Sequence, residues 1–330
     1  MLIAAAGVMQ GSFVVPMKVT KKWEWENTWS LFGFLGFVLL PGLLAAVTVP
    51  KFGEVLQTAP QSSLLAAALF GLGWGCGSVC FGLGVKMLGI GLALSIILGL
   101  ASALGSIIPW LTSPARPLTY SVLLWCGVLV MLAGVVACSL AGQKRQAQIR
   151  STDESQASGK TFLAGLAISL VSGVLSCFMN LGFAYGAQVT RRAEELGTAA
   201  VHAPNVLWFV IMGGGFVANA VYCGYLMLTR KSWPKFAART ACNLGWVLVM
   251  AALWVGSLVA YGIGANKLGR LGPSVGWPIL MSLNIVSSNA WGAVAGEWRE
   301  AGRSATTTMI TGITILLAAV VIFGWASRMT

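Results

Sequence analysis

The stretch WGCGSVCFGLGVKMLG (Trp74–Gly89) has a second copy later in the chain, WVGSLVAYGIGANKLG (Trp254–Gly269). The copies align without a gap: each opens with Trp, places an aromatic-Gly-x-Gly group seven residues on, and closes with Leu-Gly. A shared pattern of this length, repeated 180 positions apart, indicates an internal duplication. The sequence therefore predicts two halves of similar fold.

The composition predicts a membrane protein. Hydrophobic residues make up 57% of the chain and charged residues only 9%, against about 25% charged in soluble domains. The apolar stretches are near the ~20 residues that a helix needs to span a bilayer, and they lack the alternation of a membrane β-barrel. They fall at 2–17, 29–49, 63–85, 90–111, 119–141, 161–185, 204–228, 241–264, 274–295 and 305–327.

The charge of +12 predicts orientation in the membrane and not nucleic-acid binding, because the basic residues lie in short loops. With the N-terminus outside, fourteen of the 21 Lys and Arg fall on one side, which predicts both termini outside and loop 143–160 in the cytoplasm. That polar loop separates a first repeat, 1–142, from a second, 161–330. Because each repeat has five helices, an odd number, the second repeat starts on the opposite side of the membrane from the first. We therefore expect an all-α polytopic protein with ten transmembrane helices in two inverted repeats. Inverted repeats are typical of transporters that work by alternating access.

Small residues predict close helix packing. The pairs Gly71/Gly75 and Gly292/Gly296 have the G-x-x-x-G spacing that lets helix backbones approach each other. The seven Cys are odd in number, lie in apolar segments and include no C-x-x-C, so neither a disulfide framework nor a metal site is expected. No cofactor is expected either.

Four phrases resemble a known family. They are KKWEWENTWS (Lys21–Ser30), FGLGVKMLG (Phe81–Gly89), VIMGGG (Val210–Gly215) and GEWREAG (Gly296–Gly302). In this order they resemble the bacterial L-rhamnose/proton symporter family of the drug/metabolite transporter superfamily. The resemblance covers nearly the whole chain and implies ten helices in two five-helix repeats, with proton-driven monosaccharide uptake across the inner membrane.

A neutral sugar needs hydrogen-bond partners and an aromatic face near the middle of the bilayer. Polar and aromatic side chains at i+3/i+4 spacing are therefore candidates to line the cavity. The predicted substrate-binding residues are Gln10, Trp74, Ser78, Asn180, Trp254, Ser257, Tyr261, Asn284, Ser288 and Asn289. The alternative is that the Ser and Asn side chains only join neighbouring helices, and that the Trp rings only pack against lipid or core.

Proton coupling normally uses a protonatable residue in the membrane, yet all nine acidic residues lie in loops or at helix ends. Three options stay open: a carboxylate or His at a cavity mouth (Glu24, Glu26, Glu297 or His202), a Lys near a helix end (Lys18 or Lys86), or no proton coupling. A sodium ion or facilitated diffusion would apply in the third case. Lys18 and Glu297 are the predicted proton-coupling residues, since both lie in phrases that resemble the family.

The resulting hypothesis is a secondary active transporter that imports a monosaccharide, L-rhamnose in the first place, with a proton. The alternative is a carrier or exporter of another small polar metabolite, sodium-coupled or uncoupled. An enzyme is not expected, because no nucleophile–base pair, carboxylate dyad or metal-ligand set lies within the apolar segments. A purely structural or receptor-like membrane protein would need neither paired polar stripes nor inverted repeats.

Overall fold

The computed structural model describes residues 1–88, 90–113, 118–149, 159–299 and 301–328. Within these ranges the chain is helical and contains no strand. The α-helices are α1 (Leu2–Ser12), α2 (Trp25–Gly33), α3 (Leu40–Thr48), α4 (Phe52–Thr58), α5 (Gln61–Leu88), α6 (Ile90–Leu111), α7 (Leu118–Ile149), α8 (Gly159–Ser176), α9 (Phe178–Tyr185), α10 (Ala187–Glu195), α11 (Pro204–Thr229), α12 (Thr240–Lys267), α13 (Gly272–Val294) and α14 (Arg303–Ala326).

Nine stretches of the described chain are long and apolar enough to cross a bilayer, so the protein is a multi-pass membrane protein. They are Leu2–Val19, Trp25–Thr48, Gln61–Leu88, Leu92–Leu111, Leu118–Arg145, Phe162–Glu195, Pro204–Thr229, Thr240–Lys267 and Arg303–Ala326. Each coincides with one of the ten predicted segments. The remaining prediction, 274–295, corresponds to α13, which is not among the nine.

Helix α13 can be more polar than the other spans because much of it is buried within the protein. Every residue from Leu271 to Ser282 is buried, and α13 packs against α6, α7 and α14. The indole Nε1 of Trp277 donates to the carbonyl oxygen of Ala101 at 2.9 Å. A helix enclosed by protein can carry Ser and Asn side chains that a lipid-facing helix cannot.

Two predicted segments are less regular than expected. Between α2 and α3 the chain forms a wide π-helical turn, Phe34–Leu39, in which the Leu40 N–H bonds to the Leu35 carbonyl. Pro41 follows at once and has no N–H to continue the α-helical ladder, which accounts for the irregular turn. The predicted segment 161–185 is interrupted at Cys177, between α8 and α9.

The chain divides into two compact units, each formed from both halves of the sequence. Unit 1 consists of Met1–Cys76 and Phe178–Lys267, and unit 2 of Gly77–Cys177 and Leu268–Thr330. In unit 1, α1 packs on α12, and α2 and α3 pack on α11. In unit 2, α7 packs along α14, and α6 contacts α7, α8 and α13.

Gly71 and Gly75 give α5 its close approach to α11, as their spacing predicts. A Cβ atom on Gly71 would lie 2.0 Å from the Ile211 carbonyl oxygen, and one on Gly75 would lie 2.5 Å from the Gly215 carbonyl oxygen. Any larger residue would therefore push the two backbones apart.

The prediction for Gly292 and Gly296 is wrong. A Cβ on Gly292 would first meet the Glu297 side chain, and Gly296 lies beyond the end of α13 with φ +78°. Gly296 thus supplies a left-handed backbone conformation just after the helix and does not contribute to helix packing.

The predicted polar loop 143–160 is partly helical. Helix α7 continues to Ile149, and its polar end contacts the start of α14: the Lys144 ammonium donates to Ser304 Oγ at 3.2 Å and to Thr308 Oγ1 at 2.9 Å. These contacts explain why the helix extends past its apolar part. Residues 150–158 lie outside the described residues, and the division into repeats 1–142 and 161–330 stays a prediction.

Candidate functional site

The two Trp residues of the repeated phrase stack on each other in unit 1. The ring centroids of Trp74 and Trp254 are 5.6 Å apart, and the rings are inclined by 22°. Phe37 contacts both rings edge-on or tilted, at 5.4 Å and 5.7 Å between centroids. Phe13 and Phe32 contact Trp254 from other directions at 4.9 Å and 6.2 Å. We call these five residues, Phe13, Phe32, Phe37, Trp74 and Trp254, the aromatic cluster.

The VIMGGG phrase makes room for this cluster. A Cβ on Gly215 would lie 2.7 Å from two ring atoms of Trp74, and one on Gly214 would lie 2.2 Å from the Ala68 carbonyl oxygen. Gly213, in contrast, has nothing within 4 Å of its Cβ position. Two of the three glycines are therefore required by contact with α5, and Gly215 sets the position of the Trp74 ring.

Two buried polar atoms on α1 and α12 lack a hydrogen-bond partner among the described residues. They are Oε1 of Gln10 and Nε1 of Trp254, and both side chains are 5% exposed. A buried indole N–H normally finds a partner, and a buried polar group without one calls for an explanation.

A second predicted pair also comes together in unit 1. The hydroxyl of Tyr261 bonds to Oδ1 of Asn180, and both side chains are fully buried. Phe183 stacks on Trp208 beside them at 4.9 Å. Since the Tyr261 hydroxyl already has a partner, this pair is a link between α9 and α12.

Ser257 joins helices. Its Oγ donates to the Ala6 carbonyl oxygen at 2.8 Å, which connects α12 to α1. This is the alternative role that the sequence left open for buried Ser side chains.

The other predicted substrate residues lie in unit 2. Ser288 Oγ bonds to Asn284 Oδ1 at 3.3 Å, and Asn289 Nδ2 donates to the Ile285 carbonyl oxygen at 2.9 Å. Ser78 is half-buried on α5. The amide groups of α13 thus make contacts within their own helix, and their role as sugar ligands stays a prediction.

The two predicted proton-coupling residues are not deeply buried. Lys18 is exposed on the 3-10 turn Val15–Val19. Glu297 is half-buried, and its Oε2 accepts from Arg145 Nη1 at 2.9 Å, while the Arg145 guanidinium also lies over the Trp298 ring. Both residues stay predictions for this role.

The sequence names Glu26 as one of four candidates at a cavity mouth but does not single it out, and the structure buries it fully. Its Oε2 accepts from Arg230 Nη1 at 3.1 Å, and its Oε1 accepts from Ser232 Oγ at 2.9 Å. A sequence signal existed: Glu24 and Asn27 form a capping box, which starts α2 at Trp25 and puts Glu26 inside the first helical turn. Its burial, however, depends on α11 and the loop after it.

Comparison with known proteins assigns the chain to a family. The family model of the L-rhamnose-proton symport protein (RhaT) matches residues 1–327. The chain belongs to this family. It is 27% identical over 337 residues to the L-rhamnose-proton symporter of Shigella boydii serotype 18, covering 98% of this chain and 95% of that protein. Identity and coverage are the same for the L-rhamnose-proton symporter of Escherichia coli strain SMS-3-5.

Membership of the RhaT family agrees with the sequence hypothesis at the level of transport, because these relatives are named as symporters. Residues of three stretches that resemble the family make the contacts described above. Gly215 of VIMGGG positions Trp74, Glu26 lies in KKWEWENTWS, and Glu297 lies in GEWREAG.

Proposed function

We propose that this protein imports L-rhamnose together with a proton across the bacterial inner membrane. The observation that carries the proposal is the match of the RhaT family model to residues 1–327, which spans both copies of the repeated phrase. The aromatic cluster, with unpartnered polar atoms on Gln10 and Trp254, gives that activity a physical basis in unit 1.

We further propose ten transmembrane helices in two inverted repeats, as in the drug/metabolite transporter superfamily, with both termini outside. The helix bounds support a duplication. Shifting α5 (Gln61–Leu88) by the 180 positions of the repeated phrase gives 241–268, against 240–267 for α12, and shifting α6 (Ile90–Leu111) gives 270–291, against 272–294 for α13. The span Trp25–Thr48 shifted in the same way gives 205–228, against 204–229 for α11.

The stacking of Trp74 on Trp254 also supports an internal symmetry. Residues related by a two-fold axis contact each other only where they lie close to that axis, as at an isologous interface. In inverted repeats the axis lies in the membrane plane, and substrates bind near it. We therefore infer that the aromatic cluster marks the middle of the transport path.

In this proposal each group has a defined role. The aromatic rings contact the methyl group and C–H face of the 6-deoxy sugar, the Gln10 amide oxygen accepts from a hydroxyl, and the Trp254 indole N–H donates to one. The remaining predicted residues, Ser78, Asn180, Ser257, Tyr261, Asn284, Ser288 and Asn289, are proposed to line or support the path.

The test uses purified protein in liposomes. We expect labelled L-rhamnose to accumulate above its external concentration under an inward proton gradient. When a protonophore removes the gradient, the internal concentration should rise no higher than the external one. L-Mannose, which adds one hydroxyl at C6, should compete less well, because the aromatic cluster offers that hydroxyl no partner.

Each other outcome points to a different carrier. Accumulation driven by a sodium gradient and not by a proton gradient would show that sodium is the coupling ion. Equilibration of rhamnose under every gradient would show that the protein is a facilitator without ion coupling. If rhamnose does not enter at all while another polar metabolite does, the proposed substrate is wrong.

A further inference from the structure

Glu26 is the fully buried member of the acidic side chains that the structure describes, and the proposed sugar path does not use it. It lies in the first turn of α2, outside the aromatic cluster. A buried ionised carboxylate is costly unless it is paired, and the described contacts of Glu26 are one cation and one hydroxyl.

Its partners come from the segment that connects α11 to α12. Arg230 follows the last residue of α11, and Ser232 follows two positions later. Further bonds hold the same segment to the start of α2: Asn27 Nδ2 donates to the Ser232 carbonyl oxygen at 3.1 Å, and Trp23 Nε1 donates to the Ala238 carbonyl oxygen at 2.8 Å. The Glu26–Arg230–Ser232 contact therefore ties the start of α2 to the segment between α11 and α12. The Lys and Arg count puts both on the predicted cytoplasmic side.

The corresponding end of the other repeat carries no such charge. Shifting Glu26, Arg230 and Ser232 by 180 positions gives Val206, Pro50 and Phe52. There the two segments meet through Asn205 Nδ2, which donates to Thr48 Oγ1 at 2.9 Å, and through the rings of Phe52 and Phe209, 5.4 Å apart. These two segments thus meet without a buried ion pair, so contact between such segments does not in itself require Glu26.

We propose that Glu26 is a proton-binding site of the transport cycle, and that its protonation releases Arg230 and loosens residues 230–238 from α2. The proposal rests on the proposed proton-coupled function. One proton from hydronium converts the carboxylate to the carboxylic acid and leaves a water molecule, and no other covalent bond forms or breaks. Ser232 Oγ can then accept from the acid where it now donates to the carboxylate, because a hydroxyl serves in either role.

The surroundings allow this exchange of charge. Arg230 is 55% exposed, so its guanidinium can pass into water once its counter-charge is gone. Release of Arg230 on protonation and its return on deprotonation couple proton binding at Glu26 to the packing of residues 230–238 on α2.

The elements that pack on α2 and the segment after α11 carry the other titratable groups. Arg230 and Lys231 directly follow α11, which carries the buried Cys223. The 3-10 turn Trp233–Ala237 carries Lys235, and Arg239 precedes α12, which carries no charged residue before Lys267 at its far end. Lys235 bonds to Glu24, and this hydrogen bond, with the charge of Lys235, lowers the pKa of Glu24.

The first test follows the segment directly and needs no sugar. Hydrogen exchange of the backbone amides of residues 230–238 is measured across pH in the full-length protein, with the intrinsic pH dependence removed. We expect protection in the wild type to fall about tenfold as pH falls, the equivalent of ~1.4 kcal/mol. In Glu26→Gln the protection should be low at every pH.

Two further variants complete this test. Arg230→Gln leaves Glu26 in place and removes the group whose release we propose, so it should also abolish the pH dependence. Glu54→Gln, which alters a half-exposed pair with Lys51 elsewhere in unit 1, should behave as the wild type. A wild-type pH dependence in either Glu26→Gln or Arg230→Gln would overturn the proposal.

The second test measures coupling in proteoliposomes. In Glu26→Gln we expect gradient-driven rhamnose accumulation to be lost while rhamnose counterflow stays within about twofold of the wild type, since exchange needs no net proton movement. Glu54→Gln should accumulate rhamnose normally. Loss of accumulation in Glu297→Gln with retention in Glu26→Gln would overturn the proposal in favour of Glu297. If the wild type carries no rhamnose, the proposed substrate fails, and the hydrogen-exchange test still decides on Glu26.

Discussion

At the residue scale, Trp254 combines a stacked ring with an unpaired donor. Its ring contacts four other aromatic rings, whereas its Nε1 contacts no acceptor among the described residues. The N–H is therefore available to a ligand, and Trp254→Phe removes it while an aromatic ring stays in place.

We expect Trp254→Phe to weaken L-rhamnose binding about three- to tenfold, the equivalent of one hydrogen bond at ~0.5–1.5 kcal/mol. The melting temperature should also fall, because the smaller ring leaves a cavity at this buried position. Equilibrium binding of labelled rhamnose measures the affinity, and a thermal scan measures the melting temperature. Trp125→Phe, at an exposed position on α7, is the matched control. Equal affinity in Trp254→Phe and the wild type would remove the N–H from the site.

Gly215 tests the position of the Trp74 ring. Gly215→Ala puts a Cβ 2.7 Å from that ring, so the ring must move away from Trp254, at a cost of about 1–3 kcal/mol. We expect weaker rhamnose binding and a lower melting temperature. Gly213→Ala, two residues away on the same helix, has free space at its Cβ and should do neither. Equal behaviour of the two variants would contradict the role of Gly215.

Asn284 tests the predicted contribution of α13. We expect Asn284→Ala to weaken sugar binding without unfolding the protein, since its recorded partner, Ser288, is exposed. Measurement of rhamnose affinity on membrane-inserted protein checks this. Unchanged affinity in both Asn284→Ala and Trp254→Ala would contradict the cavity assignment as a whole.

Individual residues were predictable from the sequence only where a pattern existed. The repeated phrase singled out Trp74 and Trp254, and the structure stacks them on each other. Ser257 fitted the same helix face but bonds to the Ala6 carbonyl oxygen, because the partner of a Ser depends on which helix packs beside it. Glu26 lies near a helix end in the sequence, and its burial comes from the segment after α11, more than 200 positions later.

At the element scale, the wide turn Phe34–Leu39 shapes the aromatic cluster. In a regular α-helix two residues five positions apart point about 140° away from each other. Phe32 and Phe37 nevertheless both contact Trp254, and their own rings are 5.3 Å apart. The turn therefore brings them to one side. Apolar periodicity predicted the span but not this turn, because it counts apolar positions and does not follow the hydrogen-bond ladder.

We expect Pro41→Ala to restore an α-helical ladder and to separate Phe32 from Phe37. Rhamnose affinity should then fall, while the melting temperature should be maintained or rise, because Ala is preferred to Pro inside a helix. Pro109→Ala, inside α6 of unit 2, is the control for removing a helical Pro. Wild-type affinity in Pro41→Ala would contradict a role of the wide turn in sugar binding.

At the scale of the whole molecule, composition and span length predicted the multi-pass helical class, and nine of the ten expected spans satisfy both criteria in the described residues. The composition of α13 did not reveal its burial, since a protein-enclosed helix and a polar surface helix have similar composition. The two contact units were not predictable either, because each combines equivalent segments from both halves of the chain.

The central claim is that sugar and proton move together. The most direct measurement adds L-rhamnose to proteoliposomes with no initial pH gradient and records the internal pH. We expect the interior to acidify when L-rhamnose is added and not when a sugar that the protein does not carry is added. Entry of rhamnose with no change in internal pH would contradict proton coupling.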